Sequence, residues 1–148
     1  MKTLVAYFSA GGVTAKVAKE YAKLSGADLF EIVPVQPYSK ADINWKNPFA
    51  RCNREFFGKK DVPVSGKIEK FEAYEQVLIG FPIWYGCAPN VVNTFCAGYD
   101  WTGKKVIAFA TSGGSPIGKT AEKLQPYLKG QASPEAVLVK NAQELKNR

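Results

Sequence analysis

Hydroxyls, glycines and large aromatic side chains gather in three short stretches of this chain, and each stretch suits a particular contact. The first is Ser9-Ala10-Gly11-Gly12-Val13-Thr14. It follows an apolar run, Leu4 to Phe8, and opens a segment of helical periodicity, so it reads as a strand, a tight turn and a helix N-terminus. Such a junction collects backbone N–H groups without intrahelical acceptors and points the positive end of the helix dipole at one spot. Gly11 and Gly12 allow close backbone approach, and the hydroxyls of Ser9 and Thr14 add donors for a phosphate. An ordinary strand-to-helix turn would look much the same. The second stretch, Phe81-Pro82-Ile83-Trp84-Tyr85-Gly86, sets two large aromatics in a loop, either as a stacking wall or as core residues beneath it. The third, Thr111-Ser112-Gly113-Gly114-Ser115, is small and hydroxylated, fit for the polar edge of a ring or for simple turn punctuation. Together the three suit a flat heteroaromatic ring with a phosphate tail.

No histidine occurs in the chain. That removes Ser/His and Cys/His pairs and the usual transition-metal ligand sets, so no catalytic residue and no metal site is expected. Demanding chemistry would have to come from a bound organic cofactor. Cys52, Cys87 and Cys96 are odd in number and lack the close spacing of a zinc or CxxC site, which argues for plain thiols.

The elements that must position these loops follow one grammar. Val13, Val17, Ala18, Tyr21 and Leu24 share a helix face, Ser25-Gly26 ends that helix, and Asp28 to Val33 reads as a second strand closed by Pro34. The glutamate inside that strand points to a sheet edge. Strand, helix, strand implies parallel pairing with a right-handed crossover. The pattern returns with strands at Gln76–Phe81, Lys105–Ala110 and Ala136–Val139. Helices are expected from Pro89 to about Gly98 and from about Ile117 to Leu128, the latter shortened or kinked by Pro126. Between strands two and three, Asn47-Pro48 starts and Gly58 stops a further helix, after a loop carrying Tyr38 and Trp45, and Asp61 to Gly66 is a turn-rich connector. The expected fold is therefore α/β, a doubly wound five-stranded parallel sheet with helices on both faces. All βα loops of such a sheet emerge at one edge, where ligands bind.

The totals narrow the function classes. At 148 residues, with 46% apolar and 22% charged residues, the chain suits one domain, 1–148, with its own core. No apolar run reaches the roughly 20 residues of a membrane span. The apolar start is too short and too directly followed by an amphipathic segment for a secretory signal, so a cytoplasmic protein without membrane attachment is expected. The net charge is +7, but among 20 basic residues only Arg51, Arg54 and Arg148 are arginines, and the lysines are scattered. Nucleic acid is thus not the expected partner, whereas an acidic protein or an anionic small molecule is. Gly113 to Thr120 also spells GxxxxGK[ST]. A triphosphatase reading fails because no apolar strand ends in an acid for Mg²⁺, the match comes late, and Pro116 removes an N–H from a loop that must present them.

With these residues in view, the chain resembles a flavodoxin in the short form of the flavodoxin-like superfamily. The likeness runs from Met1 to about Val139 and rests on Tyr7 to Thr14, Ile79 to Gly86, and Gly103 to Gly114. It implies strand order 2-1-3-4-5 and non-covalent FMN at the carboxyl edge. Ser9 through Thr14 would hold the FMN phosphate, and Pro82 through Gly86 would flank the isoalloxazine, with Trp84 or Tyr85 stacked on it. Thr111 through Gly114 would meet its pyrimidine side. Three departures stand out. Gly11 replaces the usual hydroxyl residue, the chain is basic where flavodoxins are typically acidic, and the closing helix must fit into Lys140 to Arg148, leaving one face of the last strand to that short helix or to another subunit. The resemblance implies an FMN-binding electron carrier, a monomer or weak homodimer that serves a redox partner protein or small-molecule acceptor. The alternatives are an FMN-dependent NAD(P)H:quinone-type oxidoreductase, with Tyr38 and Trp45 roofing its substrate, and a fold that has lost its cofactor.

Overall fold

A computed structural model describes residues 2–9, 12–36, 39, 42–43, 46–47, 50–51, 62–84, 88–111, 117–130 and 134–146. Five strands form its main sheet: β1 (Thr3–Tyr7), β2 (Asp28–Glu31), β5 (Gln76–Pro82), β6 (Lys105–Thr111) and β7 (Glu135–Leu138). Their order is β2-β1-β5-β6-β7, with every pairing parallel. Counting these five alone, that is the expected order 2-1-3-4-5. A two-residue ribbon, β3 (Val33–Pro34) with β4 (Val64–Ser65), pairs antiparallel outside it.

The central strands read as continuous apolar runs because both of their faces are covered. Leu4, Ala6, Val77, Ile79, Phe81, Val106, Ala108 and Ala110 face one layer, with α2 (Asn90–Ala97), Trp101, Leu124 and Leu128. Val5, Tyr7, Leu78, Ile107 and Phe109 face the other, with α1 (Val13–Ser25) and α4 (Ala142–Lys146). The period-two alternation of a strand thus sorts one sequence into two cores.

Several local expectations are corrected. The second strand ends at Glu31. Ile32 still donates its N–H to the Tyr7 carbonyl at 2.6 Å, and the chain then leaves the sheet to build the ribbon, with Pro34 inside it. A proline is tolerated there because each strand of a two-stranded ribbon is an edge strand. The connector at 61–66 accordingly contains a strand, β4. On α1 the packed face is Thr14, Val17, Ala18 and Ala22, whereas Val13 and Leu24 are exposed. Pro89 precedes α2 as its N-cap instead of starting it. The helix expected to Leu128 is only α3 (Thr120–Leu124), followed by a 3₁₀ turn at Gln125–Tyr127 that contains Pro126. Most of the helix expected from Asn47 to Gly58 lies outside the described residues.

On the α1 side of the last strand Val137 is only half-buried, and the closing helix α4 is five residues long. Ala142 and Leu145 are buried there beside Val5, Val17 and Val139, and α4 packs on α1. No helix among the described residues is long and apolar enough to cross a membrane.

Candidate functional site

Parallel strands bring the ends of β1, β5 and β6 to one edge, and the structure ties these ends together through a single residue. Thr111, the last residue of β6, is 4% exposed and bonds in two directions. Its carbonyl accepts the N–H of Ile83, just after β5, at 2.9 Å. Its hydroxyl lies 2.7 Å from the hydroxyl of Thr14 in the first turn of α1. One described residue from each of the three stretches singled out in the sequence, Thr14, Ile83 and Thr111, is thereby joined.

On the β1 side, Phe8 donates its N–H to the Gly80 carbonyl at 2.8 Å, extending the ladder one residue beyond β1. Ser9 then turns, and its hydroxyl oxygen accepts the Gly12 N–H at 3.0 Å. Gly12 is the N-cap of α1 with φ of 90°, a left-handed conformation that glycine adopts without steric cost. Gly12 itself offers no capping side chain, and no acid lies in the first turn of the helix. By helix geometry the amides of Val13, Thr14 and Ala15 have no acceptor within the helix, and the positive end of its dipole faces this edge. That cradle fits an anion.

On the β5 side, Phe81 and Ile83 are buried and Pro82 is half-buried. Trp84 is half-buried, its ring edge-on to Phe8 with centroids 5.8 Å apart and planes at 88°. An aromatic pair in this orientation steadies the indole at the edge of the core. Phe8, which the three stretches do not include, is a buried core residue against Trp84. Its signal in the sequence is the alternation with Leu4 and Ala6, which puts it on the same sheet face.

Of the expected site residues, Ser9, Gly12, Val13, Thr14, Pro82, Ile83, Trp84 and Thr111 stand at this edge. Ala10, Gly11, Tyr85, Gly86, Ser112, Gly113 and Gly114 lie outside the described residues, as do Tyr38 and Trp45. The Thr14 hydroxyl, expected as a phosphate donor, is buried against Thr111. Val13 contributes an exposed side chain. In the GxxxxGK[ST] match, the Thr120 hydroxyl is buried and donates to the Ile117 carbonyl, so it does not face a metal ion. No cluster of three His, Cys, Asp or Glu side chains suited to a metal occurs among the described residues. Cys96 is fully buried, and burial pushes its thiol well above the ordinary range, which makes it inert.

A cleft of about 420 Å³ lies at the opposite, amino edge, lined by Lys67, Phe71, Tyr99, Asp100 and Lys104 among others. Three of its polar side chains are engaged by the protein. Lys104 Nζ donates to the carbonyls of Phe71 and Tyr74, the Asp100 carboxylate accepts from Thr102, and the Tyr99 hydroxyl accepts from Ile68. This is a structural corner.

The flavodoxin family model matches residues 2–147. Among solved structures, a candidate flavoprotein from Bacteroides eggerthii DSM 20697 is 39% identical with a TM-score of 0.88, over 99% of this chain and 94% of that one. One from Bacteroides uniformis ATCC 8492 is 36% identical with a TM-score of 0.87, over 99% and 96%. A flavoprotein from Lactobacillus acidophilus NCFM, crystallised in complex with FMN, shares the fold at 20% identity and a TM-score of 0.72, over 99% and 97%. A search of curated proteins returns no match.

Proposed function

The chain belongs to the flavodoxin family, and on that premise we propose that it is a single FMN-binding domain that carries electrons between redox partners. The observation that carries this reading is that Thr14 at the N-terminus of α1 and Ile83 after β5 both bond to Thr111 at the end of β6. Bound FMN supplies the redox chemistry. The protein binds and orients. The open amides of α1, with Ser9 through Thr14, hold the phosphate, and Pro82 through Gly86 flank the ring with Trp84 or Tyr85 against it. Thr111 through Gly114 meet the pyrimidine edge. The absence of histidine from the chain, and of acids and bases from loops 9–14 and 111–114, favours a carrier over an enzyme that must move protons with its own side chains. The positive net charge suits an acidic partner.

The absorption spectrum of the purified protein tests the reading. A flavin spectrum is expected, with FMN as the pigment released on denaturation. Protein that stays colourless when FMN is supplied would refute it. Steady-state assay with NAD(P)H and a quinone then separates carrier from reductase: a carrier shows no turnover without a reductase partner, and turnover by the pure protein establishes the enzyme.

A further inference from the structure

We infer that Phe8 is a positioning residue for the ring end of the proposed flavin site, where it sets the plane of the Trp84 indole through an edge-on contact. The inference rests on the FMN reading and deepens it, since it concerns a core residue that acts on the cofactor only through another side chain. Three observations carry it. Phe8 is 2% exposed and lies with Leu4 and Ala6 in the core on the α2 side of the sheet, and Trp84 packs against that same core. Both backbones are tied to the sheet beside the contact, Phe8 by its N–H to the Gly80 carbonyl at 2.8 Å, and Ile83, next to Trp84, by its N–H to the Thr111 carbonyl at 2.9 Å. The rings meet with centroids 5.8 Å apart and planes at 88°, the arrangement that sets the positive edge of one ring against the negative face of the other. With one ring fixed in the core, that preference selects the tilt of the other. An indole stacks on a planar ligand only when its own support holds it within roughly 10–20° of the productive plane.

Phe8 stands directly before Ser9, so the rival account is that its side chain supports the phosphate turn. The two accounts differ in which end of FMN feels its loss. Phe8→Leu keeps an apolar group in the core and removes the ring, and riboflavin carries the isoalloxazine without the phosphate. With affinities measured by flavin fluorescence, positioning of Trp84 predicts that Phe8→Leu weakens FMN and riboflavin by the same factor, roughly three- to tenfold, the scale of one aromatic pair. A loss confined to FMN assigns Phe8 to the phosphate turn and overturns the inference, as do unchanged affinities. In a Trp84→Ala background Phe8→Leu should have no further effect on either flavin, whereas losses that add mark a merely structural role and overturn it too. The flavin-free protein gives an independent readout, the ¹⁵N order parameter of the indole N–H. That of Trp84 should fall in Phe8→Leu, while that of Trp101, which is fully buried and donates to the Cys96 carbonyl, should not. An equally ordered Trp84 indole in both proteins overturns the inference. Phe8→Met, which also lacks the ring, supplies the same readouts should Phe8→Leu fail to fold. Wild-type protein that binds no flavin, while loss of the Phe8 ring loosens the indole, would instead sink the FMN reading and leave the positioning of Trp84 standing.

Discussion

Gly12 and Gly80 show how two glycines of one chain answer to different constraints. Gly12 sits at φ of 90°, and a Cβ added there would meet nothing within 4 Å, so its demand is purely conformational. Gly12→Ala should cost about 1–2 kcal/mol through the left-handed backbone and weaken FMN binding by tilting the first turn of α1. Gly80 has an ordinary backbone, but a Cβ there would lie 2.2 Å from the Phe109 ring, which is itself fully buried. Gly80→Ala should cost about 1–3 kcal/mol by overpacking, read as a lower urea midpoint with unchanged slope. The role of Gly12 is legible in the sequence because a glycine between a strand and a helix has few other uses. That of Gly80 is not, because the ring over it belongs to a distant strand, paired in register as Gly80 with Phe109. The contact between the Thr14 and Thr111 hydroxyls is hidden from the sequence for the same reason, since the two residues lie 97 positions apart.

At the level of elements, strands and helices on the sheet are legible from apolar runs and from the 3.6-residue period, while the segment between β2 and β5 is not. There Pro34 looks like a strand terminator, yet it sits in a ribbon whose other half, Val64–Ser65, is too short to carry a period. The closing helix is as thin as expected, since α4 is little more than one turn. Its anchoring is nevertheless real, for Leu145 is 3% exposed while Leu138 on β7 is 41% exposed. Leu145→Ala should therefore cost about 2–5 kcal/mol in chemical denaturation, and Leu138→Ala well under half of that. The amino edge carries a pH signature. The Tyr74 hydroxyl donates to Asp28 at 2.7 Å, and burial first, then that bond and the carboxylate charge, push its pKa from 10.0 to about 12. A pKa raised on folding contributes stability that is complete below about pH 10 and is lost as pH climbs toward 12. The stability gap between wild type and Tyr74→Phe should shrink across that window, and a gap that widens would contradict the assignment.

Across the whole molecule, the doubly wound order follows from how β1, β5 and β6 distribute alternate residues to two cores, and it sends the three loops to one edge. The chain as a whole carries a net charge of +7. A positive field favours the more negative, reduced state of a bound flavin, and salt screens it, so the midpoint potential should become more negative as ionic strength rises. A shift in the opposite sense would deny the charge that role. The central claim concerns where FMN sits, and an amide chemical-shift titration of the ¹⁵N-labelled, ligand-free chain with FMN tests it most directly. Shifts concentrated at Gly12–Ala15, Ile83–Trp84 and Thr111 are predicted. Shifts centred on Lys67, Tyr99 and Lys104 at the amino edge, or none anywhere, would contradict the account.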